Sequence, residues 1–294
     1  MRVAVIGSTG QLGTDLLKVL VQAGSYEVFG FSHREIECTD PVSIDRALKT
    51  ARPDVVVNCA AFVRVDESED RPDDAFRVNS LGALAVARAC AEIDALCVYI
   101  STDYVFDGGK GSPYTESDAS HPINVYGASK LTGEYLVQQA SPRWLVARMA
   151  SLFGKAGSSG KGGNFVETIL TKARAGERLR LVNDIRMSPT YSRDGAQALE
   201  ILLRQRASGL FHVANAGHCS WYEFACKALE IVGMGNRIEI EPVSSSNYPM
   251  KARRPKDSSL ESTKLSPFLK ECLRPWHEAL KAYLEETGHL PSHN

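Results

Sequence analysis

The 294-residue sequence has no long apolar run, no charge imbalance and no clustered cysteines, and each absence removes a class of protein. Its longest hydrophobic stretches are strand length, so nothing is expected to span a bilayer and no membrane partner is expected. Lys and Arg total 34 against 35 Asp and Glu, a formal net charge of −1. That balance leaves no basic footprint for nucleic acid or an anionic surface. Seven cysteines at 38, 59, 90, 97, 219, 226 and 272 form no CxxC pair, and no His/Cys group has zinc spacing. Cys59 and Cys97 fall in apolar strand patterns, where a free cysteine acts as a small core residue. Such usage points to a reducing compartment, the cytoplasm. Residues 1–6 enter a strand pattern at once, without the charged n-region and cleavage site of a secretory signal.

What is present is an ordinary globular composition, 44% hydrophobic and 23% charged, in a chain long enough for one large domain or two smaller ones. Strand patterns at Arg2–Ile6, Glu27–Phe31, Asp54–Ala60, Cys97–Ser101 and Trp144–Leu152 alternate with helical patterns. The helices fall at Gln11–Ala23, Pro41–Ala51, Asp73–Ile93 and Tyr126–Gln139. Near-continuous apolar strands separated by helices predict an α/β fold, a Rossmann-type doubly wound parallel sheet. After the Gly/Ser-rich loop Gly154–Gly163 the rhythm changes. Helices are expected near 164–175, 193–204, 221–232 and 276–286, with strands at 179–183, 210–214 and 238–243 and an irregular stretch through Pro249 and Pro255. We therefore expect a nucleotide-binding domain over 1–150 and a smaller C-terminal lobe over 151–294, interleaved with the first.

Gly7, Gly10 and Gly13 are spaced GxxGxxG between the first strand and helix. Small residues there let the backbone approach a pyrophosphate at a helix N-terminus, although a tight strand–helix turn uses glycine too. The second strand usually supplies an acid for the adenosine ribose; here it is followed by His33 and Arg34. A base at that place suits a 2′-phosphate and favours NADP(H), the bland alternative being a solvated loop charge. Cys59, Ala60 and Ala61 are small enough for a flat nucleoside to lie against the sheet edge, or simply to pack on helices. Asn79 reads equally as a bridge to the central strand or as a surface asparagine. Tyr126 and Lys130 stand at i and i+4 and share a helix face. Thr102, at a strand end 24 residues upstream, can bring a hydroxyl beside them, a plausible proton-donating constellation.

Gly7–Gly13, Asn58–Ala61, Ser101–Gly108 and Tyr126–Lys130 together resemble the extended short-chain dehydrogenase/reductases. Within that class, S-T-D-Y-V-F-D-G followed by Asn124–Lys130 resembles the dTDP-4-dehydrorhamnose reductase family. The likeness continues through Val65-Asp66, Gly163-Asn164-Phe165, Ser188-Pro189-Thr190 and Arg254-Pro255. The resemblance implies NADPH-dependent reduction, with NADH as the second choice, of the 4-keto group of a nucleotide-linked 6-deoxysugar. It makes Tyr126 the proton donor, with Lys130 lowering its pKa and holding the nicotinamide ribose. Thr102 binds the sugar oxygen, Asp103 orients the sugar, and Arg254 approaches the diphosphate. The expected cofactor contacts are Gly7, Thr9, Gly10, Gln11, Leu12, Gly13, His33, Arg34, Asp40, Cys59, Ala60, Ala61, Asn79, Tyr126 and Lys130. Those of the nucleotide-sugar are Val65, Asp66, Thr102, Asp103, Tyr104, Val105, Phe106, Ser151, Asn164, Pro189 and Arg254.

The sequence departs from the family pattern at Ser151, where a tryptophan is frequent, at Asp184–Met187, which lacks the usual Gln and Gly, and at Asp257, which replaces an asparagine. These leave the reduction chemistry untouched and open the choice of sugar and nucleotide. Some members need magnesium; Asp15 is the only acid we can place for it, so no required metal is expected. A dehydratase would carry Thr-Asp-Glu, and Tyr104 occupies the glutamate position. A second class is a non-catalytic NADP-binding subunit resembling the methionine adenosyltransferase β subunit. A monomer or homodimer is expected.

Overall fold

A computed structural model describes residues 1–156, 164–235, 237–248, 250–269 and 273–290. Gly163, Pro249 and Cys272 lie outside the described residues, as does most of the loop expected at 154–163. The first half runs β1 (Arg2–Ile6), α1 (Gln11–Gln22), β2 (Glu27–Phe31), α2 (Pro41–Ala51) and β3 (Val55–Asn58). Next come α3 (Val65–Asp70), α4 (Pro72–Phe76), a π-helical turn (Arg77–Gly82) and α5 (Ala83–Glu92). Then follow β4 (Leu96–Thr102), α6 (Val125–Ala140) and β5 (Trp144–Met149). The second half contributes β6 (Leu152–Phe153), α7 (Phe165–Arg174), β7 (Leu179–Val182), β8 (Arg186–Met187) and β9 (Thr190–Tyr191). It continues with α8 (Ser192–Arg204), β10 (Gly209–His212), β11 (Cys219–Ser220), α9 (Trp221–Ile231), β12 (Ile240–Val243) and α10 (Trp276–Glu286).

Six parallel strands form one sheet in the order β10-β5-β4-β3-β1-β2, so the winding reverses between β1 and β3. Alternation along each strand divides its side chains between two faces. Val3, Val5, Val98 and Ile100 join a core under α1 and α8, whereas Ala4, Ile6, Cys97 and Tyr99 join one with α2 and α5. A third core of Phe153, Leu170, Phe224 and Leu280 holds α7, α9 and α10 together.

Three segments differ from the sequence expectation. The run 73–93 is not one helix: Pro72 starts a short one, and the π-helical turn separates it from α5. The run 144–152 breaks after Met149, because Ser151 adopts φ +43, and Leu152–Phe153 leaves to pair with Thr190–Tyr191. The segment expected as a strand at 210–214 pairs with β5 and so completes the first sheet rather than the C-terminal lobe.

Candidate active site

In open α/β sheets ligands bind beyond the carboxyl ends of the strands, where the winding reverses. Here the ends of β1, β3, β4 and β5 open into a cavity of about 560 Å³. One end is walled by the glycine turn, with Gly7, Thr9, Gly10, Gln11, Leu12, Gly13, Cys59, Ala60 and Ala61. The Gly7 amide donates to the Phe31 carbonyl at 2.9 Å, and that of Gly10 returns to the Gly7 carbonyl at 3.0 Å. A Cβ on Gly13 would run into the Gly7 carbonyl oxygen, so α1 approaches β1 only because the residue is glycine. The cap of α1 is Gly10, without a side-chain acceptor, and its first turn holds no acid. The amides at this positive helix end are thus left for an anion. Gln11 Nε2, also on the wall, is buried with no partner. A turn that a Cβ would fill, unspent amides and an orphaned donor fit a dinucleotide pyrophosphate.

The second-strand readings separate. His33 reaches the cavity and pairs with Glu37 at 3.2 Å, with its side chain largely exposed. Arg34 is exposed and off the cavity wall. Asp40 is spent as the N-cap of α2, accepting from the Val42 amide at 3.0 Å.

At the other end of the cavity Thr102, Asp103, Tyr104, Tyr126, Lys130 and Ser151 come together. Asn124 caps α6 by accepting from the Gly127 amide at 2.7 Å, which fixes where the helix begins. Gly127 lets that first turn lie on the Tyr104 carbonyl, a space any Cβ would block, and this brings Tyr126 beside β4. Burial raises the Tyr126 phenol to about 12; a hydrogen bond with Thr102 pulls it down and the Asp103 charge adds to the rise. Burial pulls Lys130 down to about 7, with Glu134 acting against it. Lys130 Nζ donates to the Ile100 carbonyl at 2.6 Å and lies 4.1 Å from the Tyr99 ring centre. The groups that shift the phenol in this arrangement are thus its burial, Thr102 and Asp103, while the Lys130 ammonium is engaged on β4. Asp103 accepts from Thr102 at 3.0 Å and from Ser258 at 2.5 Å, and the ring of Tyr104 meets Tyr126 edge-on at 6.0 Å.

Other expected contacts lie elsewhere. Asn79 is fully buried in the π-helical turn, bonded to both backbone groups of Phe62 and to Ser129, so its side chain ties α6 to the loop after β3 and does not reach the cavity. Val105 and Phe106 are also fully buried; Phe106 stacks on Tyr114 at 4.1 Å, because the chain turns inward after Thr102. Pro189 is buried off the wall. Asn164 reaches the wall, but its amide is committed to capping α7 and to Gly154 and Tyr283.

A wider cleft of about 1040 Å³ adjoins the cavity, with Val65, Tyr104, Phe165 and Trp221 bordering both spaces. Its cations are Arg64, Lys172, Arg180 and Arg254. Arg254 grips Asp66 with two nitrogens at 3.1 and 2.9 Å. Burial pushes that carboxyl up, but Arg254 and the Ala252 amide outweigh it and hold it below the usual carboxylate range. Sequence reasoning missed Trp221, Phe165, Lys172 and Arg180. Their separation along the chain gave no local pattern, and only the meeting of α7, α9, β7 and α3 assembles them. Among the described residues no cluster of metal-ligating side chains and no helix long and apolar enough to cross a membrane occurs.

A doubly wound sheet with a glycine turn at one end of its cavity and Thr102, Tyr126 and Lys130 at the other defines the short-chain dehydrogenase/reductase class. The model of the RmlD substrate binding domain matches residues 1–288. The chain is 39% identical to the spore coat polysaccharide biosynthesis protein SpsK of Bacillus subtilis, over 97% of each chain. It is 34% identical to the dTDP-4-dehydrorhamnose reductase of Aggregatibacter actinomycetemcomitans, over 97% of this chain and 99% of that one. The structure of the Bacillus anthracis dTDP-4-dehydrorhamnose reductase, in complex with NADP, superposes with a TM-score of 0.90 at 34% identity, over 97% of this chain and 99% of that one. The chain belongs to the dTDP-4-dehydrorhamnose reductase family.

Proposed function

We propose that the protein reduces the 4-keto group of a nucleotide-linked 4-dehydro-6-deoxysugar with NADPH, converting dTDP-4-dehydrorhamnose to dTDP-L-rhamnose. The carrying observation is the single cavity that joins the glycine turn to Thr102 and Tyr126. The NADP held by the Bacillus anthracis relative supports the cofactor, and His33 at the cavity rim supports a 2′-phosphate contact.

When bound, the reduced nicotinamide supplies the hydride. The chain's part is to handle the charge that then builds on the C4 oxygen. Tyr126, held protonated by burial, donates its proton to that oxygen, and the Thr102 hydroxyl, turning from Asp103, donates a hydrogen bond to the same atom. Lys130, fixed on the Ile100 carbonyl, holds the ribose beside the nicotinamide. The cationic cleft with Arg254 takes the nucleotide diphosphate. The lobe built on α7, α9 and α10 presses the sugar against a nucleotide domain formed mainly by residues 1–150. Presence of both Thr102 and Tyr126 favours an enzyme over a cofactor-binding subunit, which needs no proton donor.

The six cysteines among the described residues are free, which supports a cytoplasmic location, and we assign a monomer or homodimer. The deciding experiment is NADPH oxidation with a panel of dTDP- and UDP-linked 4-keto-6-deoxysugars. Turnover is expected, fastest with dTDP-4-dehydrorhamnose. Tight NADPH binding with no oxidation across the panel would sink the proposal in favour of the regulatory subunit.

A further inference from the structure

Val65, Tyr104, Phe165 and Trp221 border both the cavity that holds Tyr126 and the cationic cleft, and the space between these four residues is here termed the neck. A substrate whose ketone meets Tyr126 while its diphosphate lies in the cleft must place its sugar ring in that neck. We propose that the Phe165–Trp221 pair is the wall against which the sugar packs. This rests on the reduction reading given above.

Each ring is the first residue of its helix, and each helix start is fixed. Phe165 follows the Asn164 cap, and Trp221 follows Ser220, which forms a reciprocal capping box with Glu223. Ser220 Oγ also donates to Asn183 at 2.8 Å, and β11 pairs with β8, so the backbone carrying Trp221 is held from three sides. The two rings meet edge to face, 4.8 Å between centres and 63° between planes. Neither ring is fully buried, unlike Phe224 behind them, so each keeps surface for a ligand. Ser151, also on the cavity wall, offers only a hydroxymethyl group and sits at φ +43, a conformation unfavourable to a bulky side chain. The aromatic surface on this side of the neck therefore comes from α7 and α9. A 6-deoxyhexose presents a face of C–H groups and a methyl at C6, which loses less on leaving water against a ring than a 6-hydroxy sugar does.

The test uses the full chain with NADPH and the nucleotide 4-keto-6-deoxysugar that the wild type turns over. Trp221→Ala is expected to raise KM for the sugar nucleotide on the order of 10- to 100-fold. kcat, the Kd for NADPH and the Kd for dTDP alone should each stay within about twofold, since the ring meets the sugar and not the nucleotide or cofactor. Trp221→Phe should recover most of the KM, and Phe165→Leu should shift it in the same direction as Trp221→Ala. An unchanged KM in both Trp221→Ala and Phe165→Leu overturns the wall. So does an equal loss of affinity for dTDP alone, which would make Trp221 a nucleotide contact. Loss of NADPH binding in Trp221→Ala would mark it as a folding residue, and Trp221→Phe and Phe165→Leu then decide. A wild type inert toward every sugar overturns the reduction reading itself, and the wall with it.

Discussion

Tyr126 and Lys130 are neighbours on one helix face, yet burial moves them in opposite directions: the phenol up to about 12, the ammonium down to about 7. At neutral pH Tyr126 is therefore protonated, as the proposed proton donor must be before the reaction. Tyr126→Phe should lower kcat by about 10²–10⁴ while the Kd for NADPH, followed by nucleotide fluorescence, changes little. A loss under tenfold would remove Tyr126 from the proposed role. The lysine makes a separate prediction for the apo chain. Its folded pKa of about 7 lies below an unfolded value near ~10.4, so between these the unfolded chain binds more protons. Stability contributed at this position must rise as pH rises through that window. Urea unfolding at pH 7 and 9 should show a smaller gain for Lys130→Met than for the wild type; equal gains would refute it.

The helix that carries both residues is tied to the sheet by a buried ion pair. Arg148 on β5 reaches Glu134 on α6 through two nitrogens, at 2.8 and 2.7 Å, and Ser101 donates to the same carboxylate. Both side chains are at most 5% exposed, so removing one partner strands a charge. Arg148→Leu should cost about 3–5 kcal/mol in denaturant unfolding, and a cost below ~1 kcal/mol would show that Glu134 finds another partner or a proton. Sequence and structure agree best at this scale, where one strong period governs a segment. Continuous apolar runs such as Val55–Val57 and Val98–Ile100 announced buried parallel strands, and the i,i+4 spacing of Tyr126 and Lys130 announced their shared face. Legibility failed where the fold depends on contacts made from far along the chain. Val105 and Phe106 look like pocket residues in a string beginning at Thr102, but their burial is against Tyr114, Ala150 and Leu260. Asn79 sits in a π-helical turn that helical spacing does not distinguish from the helix around it.

Across the whole molecule, β10 joins the edge of the first sheet and carries His212 into a closed interior with Glu116, whose carboxylate accepts the His212 amide at 3.0 Å. Burial, with Arg148 nearby, lowers His212 to about 4. Glu116 feels burial in the opposite sense, but hydrogen bonds from Thr263 and His212 outweigh it and hold it at about 2. Both folded values lie below the unfolded ones, so the unfolded chain takes up more protons as pH falls. Stability is lost first between 6.5 and 4 through His212 and then between 4.5 and 2 through Glu116. We expect urea midpoints to fall from pH 7 to pH 4.5, and His212→Gln, whatever its own cost at pH 7, to flatten that fall. An identical slope in the variant would place the acid sensitivity elsewhere.

The late position of β10 also imposes an order on synthesis. The nucleotide sheet is closed by a strand that begins at Gly209, while its neighbour β5 ends at Met149. As the chain leaves the ribosome at ~5–20 residues per second, those intervening ~60 residues take about 3–12 s. For that interval the outer edge of β5 is an unpaired template, and until α8 has emerged the apolar face it covers is bare. The half of the protein made first therefore depends on the half made second to become safe from its neighbours.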